Sequence, residues 1–359
     1  MNPDLQKQAD ALQKRIRNAD REKLSEELKK QINIRFTELF EVVKTLNSYQ
    51  YTRPEKIAEK IWQEGSTSLY NYKGEGQTIL FIPPLINRSY ILDLSENRSF
   101  IKYLTTKGFN CYLVDWDEPQ NGELDFSLDD YIERIDKTIA QLSEKHGKIT
   151  IAGYCMGGLM SLKSALKNQG NLNGIALFAT PWDFHVQEFS RLKLDEKTVT
   201  AFSAIIEESE KISASIIQAA FYYLHASNVE GKFESMFQSI KENADGIEEF
   251  IELEHWANDG ISMTRKVARE CFIDWVHYNK IANSNLIDAA KIELPVFMLS
   301  GSKDNIVPKS SSDALASILP NVACHTINGG HISMVAGANP KSNGWEEFER
   351  WIKTLNTSK

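Results

Sequence analysis

Short apolar runs alternate with helix-like stretches from residue 78 onward, and this alternation constrains the fold more than any other feature of the chain. Each run is bounded by glycine, proline or polar residues. The runs are Thr78–Ile82, Asn110–Val114, Ile149–Ala152, Ile175–Ala179, Pro295–Ser300 and Ala323–Ile327. Nearly continuous apolar strands separated by helices predict an α/β fold with a mostly parallel sheet that is covered on both faces.

Two stretches depart from this alternation. Residues 1–60 have a helical pattern, and residues 183–285 contain helix-like segments without a clear strand. We therefore predict an N-terminal helical extension at 1–60 and a helical cap insertion at 183–285. The sheet-bearing core then falls into two parts, residues 61–182 and residues 286–359.

The N-terminal extension carries two apolar stripes. The first is narrow and resembles a coiled-coil seam; it consists of Leu5, Ala9, Leu12, Ile16 and Ala19. The second is wider and consists of Leu24, Leu28, Ile32, Phe36, Leu39, Phe40, Val43 and Leu46. A wide stripe needs a surface to cover it, so we predict association with a partner subunit, a second copy or a nascent polymer. Packing on the protein's own core is the alternative.

Composition excludes several classes of function. The 359 residues have a formal net charge of −8, which disfavours nucleic acid as a partner. We find no apolar stretch long enough for a membrane span and no signal peptide, so a cytoplasmic location is expected. The four cysteines are far apart, which predicts free thiols and neither a metal site nor a bound cofactor.

One cysteine lies in a reactive context. The hexapeptide Gly153–Gly158 (GYCMGG) follows an apolar run and precedes a helical pattern. This is the G-x-S-x-G nucleophile elbow of the α/β-hydrolase fold with Cys155 in place of serine. The positive end of the following helix favours the thiolate. We predict Cys155 as the nucleophile and the other three cysteines as packing or surface residues.

The partners of the nucleophile are expected later in the chain. This fold places an acid and then a histidine after the nucleophile, each on a loop that follows a late strand. Asp304 follows the run Pro295–Ser300, and His331 follows the run Ala323–Ile327 behind two glycines. We predict Asp304 and His331 as the other members of the triad.

The oxyanion hole requires two backbone N–H donors. The residue after the nucleophile supplies the first, which predicts Met156. The loop after Thr78–Ile82 supplies the second. This loop begins with two prolines that cannot donate, so Leu85 and Ile86 are the candidates.

The chain resembles the polyhydroxyalkanoate synthases at several of these places. The similarity covers residues from about 50 to 350. Its segments are 83–94 (PPLINRSYILDL), 108–116 (GFNCYLVDW), 153–158, 303–308 (KDNIVP) and 329–332 (GGHI). The length is similar to that of the shorter synthases, which work with a second subunit. The chain departs from many members at Asn305, where they carry a histidine.

The resemblance implies an acyltransferase that polymerises a 3-hydroxyacyl-CoA, 3-hydroxybutyryl-CoA above all, into a polyester while releasing CoA. It implies Cys155 as the acyl carrier, His331 as the base, and a second synthase subunit or a homodimer as partner. A location at the surface of a polyester granule also follows. Asp304 either orients His331 or helps to activate the 3-hydroxyl group of an acyl unit.

Two other functions are compatible with the same residues. A thioesterase or an intracellular polyester depolymerase would use the same Cys155–Asp304–His331 triad for hydrolysis. A scaffold protein on this fold would not need the triad at all. Cysteine favours the synthase, because a thioester acyl-enzyme keeps the acyl group activated for transfer.

Overall fold

A computed structural model gives the structure of the chain. It describes residues 11, 13–14, 16–17, 20–48, 51–53, 58–192, 195–224, 244–284, 286–337, 339 and 343–355. The chain divides into two compact units. One unit comprises residues 1–52 with 226–251, and the other comprises residues 53–225 with 252–359 and contains the sheet. The predicted boundaries at 60, 182 and 285 stay predictions.

The first half of the described chain supplies most of the strands. In chain order its elements are α1 (Arg21–Ser48), β1 (Glu59–Glu64), β2 (Thr67–Asn71), β3 (Thr78–Ile82), α2 (Phe100–Thr106), β4 (Asn110–Asp115), α3 (Leu128–His146), β5 (Ile149–Tyr154), α4 (Met156–Asn168) and β6 (Leu172–Phe178). Short 3₁₀ helices interrupt the loops at Ser89–Leu92, Asn121–Glu123 and Gln169–Asn171.

The second half is helical before the sheet resumes. Its elements are α5 (Glu196–Glu208), β7 (Lys211–Ile212), α6 (Ala214–Leu224), α7 (Ala244–Asn258), β8 (Met263–Thr264), α8 (Arg265–Ala268), α9 (Lys280–Asn283), β9 (Val296–Gly301), α10 (Lys309–Ala316), β10 (Val322–Ile327), α11 (Ser333–Ala336) and α12 (Trp345–Thr354). A π-helix, Arg269–His277, lies between α8 and α9, and 3₁₀ helices lie at Gln187–Leu192 and Ala289–Lys291.

Eight strands form one sheet in the order β1-β2-β4-β3-β5-β6-β9-β10. β1 and β2 pair antiparallel, as do β2 and β4, whereas every other neighbouring pair is parallel. The predicted mostly parallel sheet is confirmed. Since β3, β5, β9 and β10 run in the same direction, the loops that follow them leave one edge of the sheet.

Apolar side chains cover both faces of the sheet. Along β3, Leu80 and Ile82 pack into one buried cluster with α3 and α4. Ile79 and Phe81 pack on the opposite face with α2 and α12. Because successive side chains of a strand alternate between faces, a strand that is buried on both sides is apolar at nearly every position. This burial explains why β3, β4, β5, β6 and β9 are recognisable as continuous apolar runs. The sixth predicted run, β10, lies at an edge of the sheet and is only partly buried.

β1, at one edge of the sheet, and its neighbour β2 are not predicted from the sequence. β1 begins at Glu59, so the last two residues of the predicted N-terminal extension are strand and not helix. Every residue of β1 is exposed or half-buried, and its sequence EKIWQE has no continuous apolar run. A strand at the edge of a sheet meets water on much of its surface, so the hydrophobic pattern that reveals an interior strand is weak there.

The predicted N-terminal helices are partly described. α1 confirms the helix expected around the wider stripe, and on it Phe36 is 70% exposed and Phe40 is 66% exposed. Ile16 of the narrow seam is helical and exposed. The rest of that seam, Leu5, Ala9, Leu12 and Ala19, lies outside the described residues.

Candidate active site

Cys155 lies on a sharp turn between β5 and α4. Its φ of 55° and ψ of −124° belong to a region that residues with a side chain rarely adopt. Backbone hydrogen bonds hold this turn. The Cys155 N–H donates to the Phe178 carbonyl at 2.8 Å, and the Gly158 N–H donates to the Cys155 carbonyl at 2.9 Å. Strain of this kind persists where the surroundings impose it and is concentrated at functional sites.

Two glycines let the turn pack closely against its neighbours. A Cβ atom on Gly157 would lie 2.1 Å from the carbonyl oxygen of Ile82, and one on Gly153 would lie 2.5 Å from the Cα atom of Gly158. Both distances are too short for real contacts, so a side chain at either position would displace backbone. The end of β3 therefore lies directly against the first turn of α4.

His331 and Asp304 form a buried pair on adjacent loops. His331 Nδ1 lies 2.8 Å from Asp304 Oδ2, and the Asp304 side chain is fully buried. The other carboxylate oxygen, Oδ1, accepts hydrogen bonds from the backbone N–H groups of Ile306 and Val307, both at 2.8 Å. Asp304 is thus held in one orientation, which in turn directs the imidazole ring.

Backbone hydrogen bonds also tie these two loops together. The loop after β9 carries Asp304, and the loop after β10 carries His331. The Ser302 N–H donates to the Ile327 carbonyl at 2.9 Å, and the Lys303 N–H donates to the Gly329 carbonyl at 3.0 Å. Because β9 and β10 are parallel neighbours, their following loops leave the sheet side by side.

The electrostatics of the pair favour a charged imidazole. Burial alone would lower the pKa of His331, but the negative charges of Asp304 and Cys155 and hydrogen bonds to both side chains raise it to about 10. His331 therefore contacts both the carboxylate and the sulfur. An imidazolium beside a sulfur atom stabilises the thiolate, which is the nucleophilic form of cysteine.

The three candidate oxyanion residues lie at the start of α4 and on the loop after β3, whose first residue, Pro83, approaches Gly157 of α4. Met156 is the first residue of α4, where the N–H groups have no acceptor within the helix. Leu85 is buried and Ile86 is half-buried on the loop after β3. This loop is held on one side by Trp116, whose indole N–H donates to the Pro83 carbonyl at 2.9 Å. Donation to an oxyanion by any of the three stays a prediction.

Tyr154 contacts the triad, although the sequence pattern does not single it out. Its ring centroid lies 5.1 Å from that of His331, and its hydroxyl group donates to the His331 carbonyl at 3.4 Å. Burial raises the pKa of Tyr154 well above its usual range, and the charges of Cys155 and Asp304 add to this effect. Tyr154 precedes the nucleophile in the motif, but only the fold brings the histidine loop over its ring.

Cys271 is a second residue near the site that the sequence does not identify. It is buried on the π-helix. Burial raises the pKa of its thiol well above the usual range, and the charges of Glu270 and Cys155 contribute. Cys271 belongs to the buried apolar cluster against which Cys155 packs. The remaining cysteines fit the predicted packing and surface roles, since Cys111 is buried and Cys324 is exposed.

No group of three or more histidine, cysteine or acidic side chains could hold a metal ion within the part of the chain that the structure describes. The described helices also include none that is long and apolar enough to cross a membrane.

The chain is similar to known proteins over most of its length. The family model of the α/β hydrolase fold matches residues 77–338. A poly(3-hydroxyalkanoate) polymerase subunit from Haloferax mediterranei is 26% identical over 311 residues, which are 82% of this chain but only 63% of that protein. The polymerase subunit from Allochromatium vinosum is 25% identical over 312 residues, which are 82% of this chain and 87% of that protein.

Solved structures show the same fold. A thermophilic esterase from Thermogutta terrifontis superposes with a TM-score of 0.53 and 15% sequence identity. The match covers 85% of this chain and 99% of the esterase chain.

Proposed function

The chain belongs to the α/β-hydrolase fold family, and we propose that it is an acyltransferase that polymerises 3-hydroxyacyl groups from coenzyme A into a polyhydroxyalkanoate. The observation that carries this proposal is a cysteine at the strained elbow beside His331, which in turn is paired with Asp304. Relatives that are named as poly(3-hydroxyalkanoate) polymerase subunits support the choice of substrate and product.

Cysteine suits acyl transfer better than hydrolysis for a thermodynamic reason. Attack of a thiolate on an acyl-CoA exchanges one thioester for another, so the acyl group remains activated. A serine nucleophile would form an oxyester and lose that activation before the transfer step. The residue at position 155 thus favours polymerisation over the alternative of a thioesterase or depolymerase.

The first half of the reaction loads the enzyme. The Cys155 thiolate attacks the thioester carbonyl, and the new Cys155 Sγ–C bond forms as the C–S bond to CoA breaks. His331, positively charged beside the sulfur, gives its proton to the departing CoA thiolate. CoA leaves as the free thiol, and His331 becomes neutral and can act as a base.

The second half extends the polymer. The 3-hydroxyl group of another hydroxyacyl unit donates its proton to neutral His331 while its oxygen attacks the Cys155 thioester. An ester bond forms, the bond to Sγ breaks, and the thiolate and the imidazolium are restored together. Backbone N–H groups of Met156 and of Leu85 or Ile86 stabilise the negative oxygen in both halves.

Water must be kept from the acyl-enzyme, since hydrolysis would release free hydroxyacid. We assign this role to the insertion at 183–285. The π-helix inside it carries Cys271, which is buried in the apolar cluster against which Cys155 packs. A wall of this kind removes water from the side of the thioester that faces the insertion.

A second subunit is part of the proposal. The relatives from Haloferax mediterranei and Allochromatium vinosum are named as subunits of a polymerase. We propose that this chain works with a second synthase subunit or as a homodimer, and that the complex is found at the surface of the polyester granule.

The deciding experiment is an assay with 3-hydroxybutyryl-CoA, with and without a candidate second subunit. CoA release, free 3-hydroxybutyrate and insoluble polyester are measured together, and Cys155→Ala serves as the blank. Release of CoA with polyester and little free acid supports the proposal. An equal amount of free acid would identify a hydrolase, and absence of CoA release under both conditions would overturn the assignment.

A further inference from the structure

The loop after β3 is held by a distant part of the chain. We call residues 83–90 the β3 loop and residues 255–261, at the end of α7 and just beyond it, the return segment. Both belong to the unit that contains the sheet. The β3 loop carries Leu85 and Ile86, the candidates for the second oxyanion donor, so whatever holds this loop bears on the reaction.

Backbone hydrogen bonds join the two segments in an antiparallel arrangement. The Ile261 N–H donates to the Ile86 carbonyl at 3.0 Å, and Asn87 and Gly260 form an antiparallel bridge. The indole N–H of Trp256 donates to the Arg88 carbonyl at 2.8 Å. These bonds restrain the backbone on the carboxyl side of the candidate donors.

Side chains reinforce the junction through one carboxylate. Asp259 Oδ1 accepts from Arg88 Nε at 3.3 Å, and Asp259 Oδ2 accepts from the Tyr90 hydroxyl group at 3.0 Å. Arg88 also pairs with Asp117 on the loop after β4. The Arg88 side chain is 25% exposed, so the pair is partly shielded from water and is stronger than an ordinary surface ion pair.

The opposite side of the β3 loop is fixed by the core. Trp116 holds the Pro83 carbonyl, and the Ile82 carbonyl lies against Gly157 in the first turn of α4. The loop is therefore restrained at its beginning by the nucleophile elbow and at its end by the return segment. The residues between these two restraints are Pro84, Leu85 and Ile86.

We propose that Arg88 and Asp259 are positioning residues that set the second oxyanion donor, so that the insertion controls the reactivity of Cys155 toward carbonyl groups. The inference rests on the proposed acyl-enzyme chemistry. A donor acts only when it lies at hydrogen-bond distance from the oxygen that becomes charged. Releasing the end of the loop moves that donor away without altering the sulfur or His331.

Two reagents distinguish loss of the oxyanion donor from general disruption of the site. p-Nitrophenyl acetate acylates Cys155 through a tetrahedral oxyanion, with p-nitrophenolate as the leaving group. Iodoacetamide alkylates the same sulfur by direct displacement of iodide, which generates no oxyanion. Loss of the donor slows acylation only, whereas a disordered elbow or a displaced His331 slows both reactions.

The experiment uses the full chain with Arg88→Ala, Asp259→Ala and the double substitution, and follows modification of Cys155 by peptide mass spectrometry. We expect acylation to slow about tenfold or more and alkylation to stay unchanged. The double variant is expected to be no slower than the slower single variant, because both residues act through one contact. Arg265→Ala, which breaks an exposed pair with Asp125, is the matched control and should change neither rate.

Equal slowing of both reactions, or slowing of neither, would overturn the proposal. If the alanine variants do not fold, Trp256→Phe removes the N–H that binds the Arg88 carbonyl while keeping an aromatic ring. Its rates of acylation and alkylation are then compared with those of wild type in the same way. Failure of the proposed function gives a different result. In that case wild-type protein reacts with p-nitrophenyl acetate but does not polymerise 3-hydroxybutyryl-CoA, and the comparison of variants still decides the role of the junction.

Discussion

At the scale of single residues, the proposed chemistry depends on three side chains that lie on three different loops. Cys155 follows β5, Asp304 follows β9 and His331 follows β10. Asp304 uses both carboxylate oxygens, one for His331 and one for two backbone N–H groups. This arrangement gives the carboxylate little freedom to contact a substrate and favours its role in orienting His331.

Replacement of the nucleophile gives the simplest prediction. Cys155→Ala removes the atom that forms the thioester, so CoA release from 3-hydroxybutyryl-CoA should fall by on the order of 10⁴-fold or more. Cys155→Ser should lose about 10²-fold or more, because a hydroxyl group is far harder to ionise than a thiol. Steady-state CoA release measures both, and Cys324→Ala at an exposed cysteine is the control. Substantial CoA release by Cys155→Ala would refute the assignment.

The roles of Asp304 and His331 are distinguished by how substitution of each residue affects acylation of Cys155. We expect Asp304→Asn to slow acylation of Cys155 about 10²-fold or more and His331→Ala to slow it at least as much, since the carboxylate acts through the imidazole. Mass spectrometry of the protein after addition of substrate measures the acyl-enzyme. If Asp304→Asn is loaded normally but makes no polymer, Asp304 instead activates the 3-hydroxyl group.

The charge on His331 predicts a pH-dependent contribution to stability. Its pKa is raised to about 10 in the folded protein, against about 6.5 in an unfolded chain. A raised pKa adds stability that is fully present below about pH 6.5 and is lost as the pH rises through about 10. The free energy of unfolding of His331→Gln should therefore lie below that of wild type near pH 6, and the difference should shrink near pH 10. Urea unfolding at both pH values measures it, and a difference that grows with pH would contradict the prediction.

At the scale of elements, the site depends on how closely α4 approaches β3. The first turn of α4 meets the carbonyl oxygen of Ile82 at a glycine, so the contact is between backbones and leaves no space for a side chain. The same contact sets the distance between the Cys155 turn and the beginning of the β3 loop. Substitutions that separate these elements affect stability and catalysis together.

Gly157→Ala tests this contact. A Cβ atom there would lie 2.1 Å from the Ile82 carbonyl oxygen, so we expect a loss of about 1–3 kcal/mol in the free energy of unfolding and slower acylation of Cys155. Gly170→Ala is the matched control, because a Cβ atom at Gly170 meets nothing within 4 Å. Denaturant unfolding and acylation by p-nitrophenyl acetate measure the two effects. Equal stability of the two variants would show that the contact relaxes without cost.

At the scale of the whole molecule, α1 belongs to a compact unit that does not contain the sheet. Phe36 and Phe40 on this helix are largely exposed. Burying one such side chain stabilises a complex by about 1.5–3 kcal/mol. Association of this helix with another surface is therefore favourable.

Deletion of residues 1–48 tests whether this segment serves association. We expect the shortened protein to remain folded and to be acylated at Cys155, since no strand of the sheet is removed, but to associate less. Light scattering with and without the second subunit measures association, and Phe36→Ser with Phe40→Ser in the full chain is the milder companion variant. An insoluble or unfolded truncation would show that the apolar stripe belongs to the protein's own core.

The sequence by itself determined the features that local patterns encode. Five interior strands, β3, β4, β5, β6 and β9, are apolar at nearly every position because both faces of the sheet are covered there. The glycines around Cys155 identify the elbow because only a residue without a side chain fits there. The order of Cys155, Asp304 and His331 along the chain then predicts the triad, since each follows an apolar run. The α/β-hydrolase fold could be predicted from these features alone.

Only the tertiary structure decided which distant segments meet. Trp256 binds the carbonyl of Arg88 across 168 positions of sequence, and Tyr154 lies 177 positions from His331, whose carbonyl it binds. β1 escaped prediction because its exposed and half-buried residues form no continuous apolar run. Contacts of this kind depend on the packing of whole elements. The sequence around a single polar loop residue does not indicate which distant residue it will contact. The pattern of residues therefore predicts where the nucleophile lies, whereas the fold decides what surrounds it.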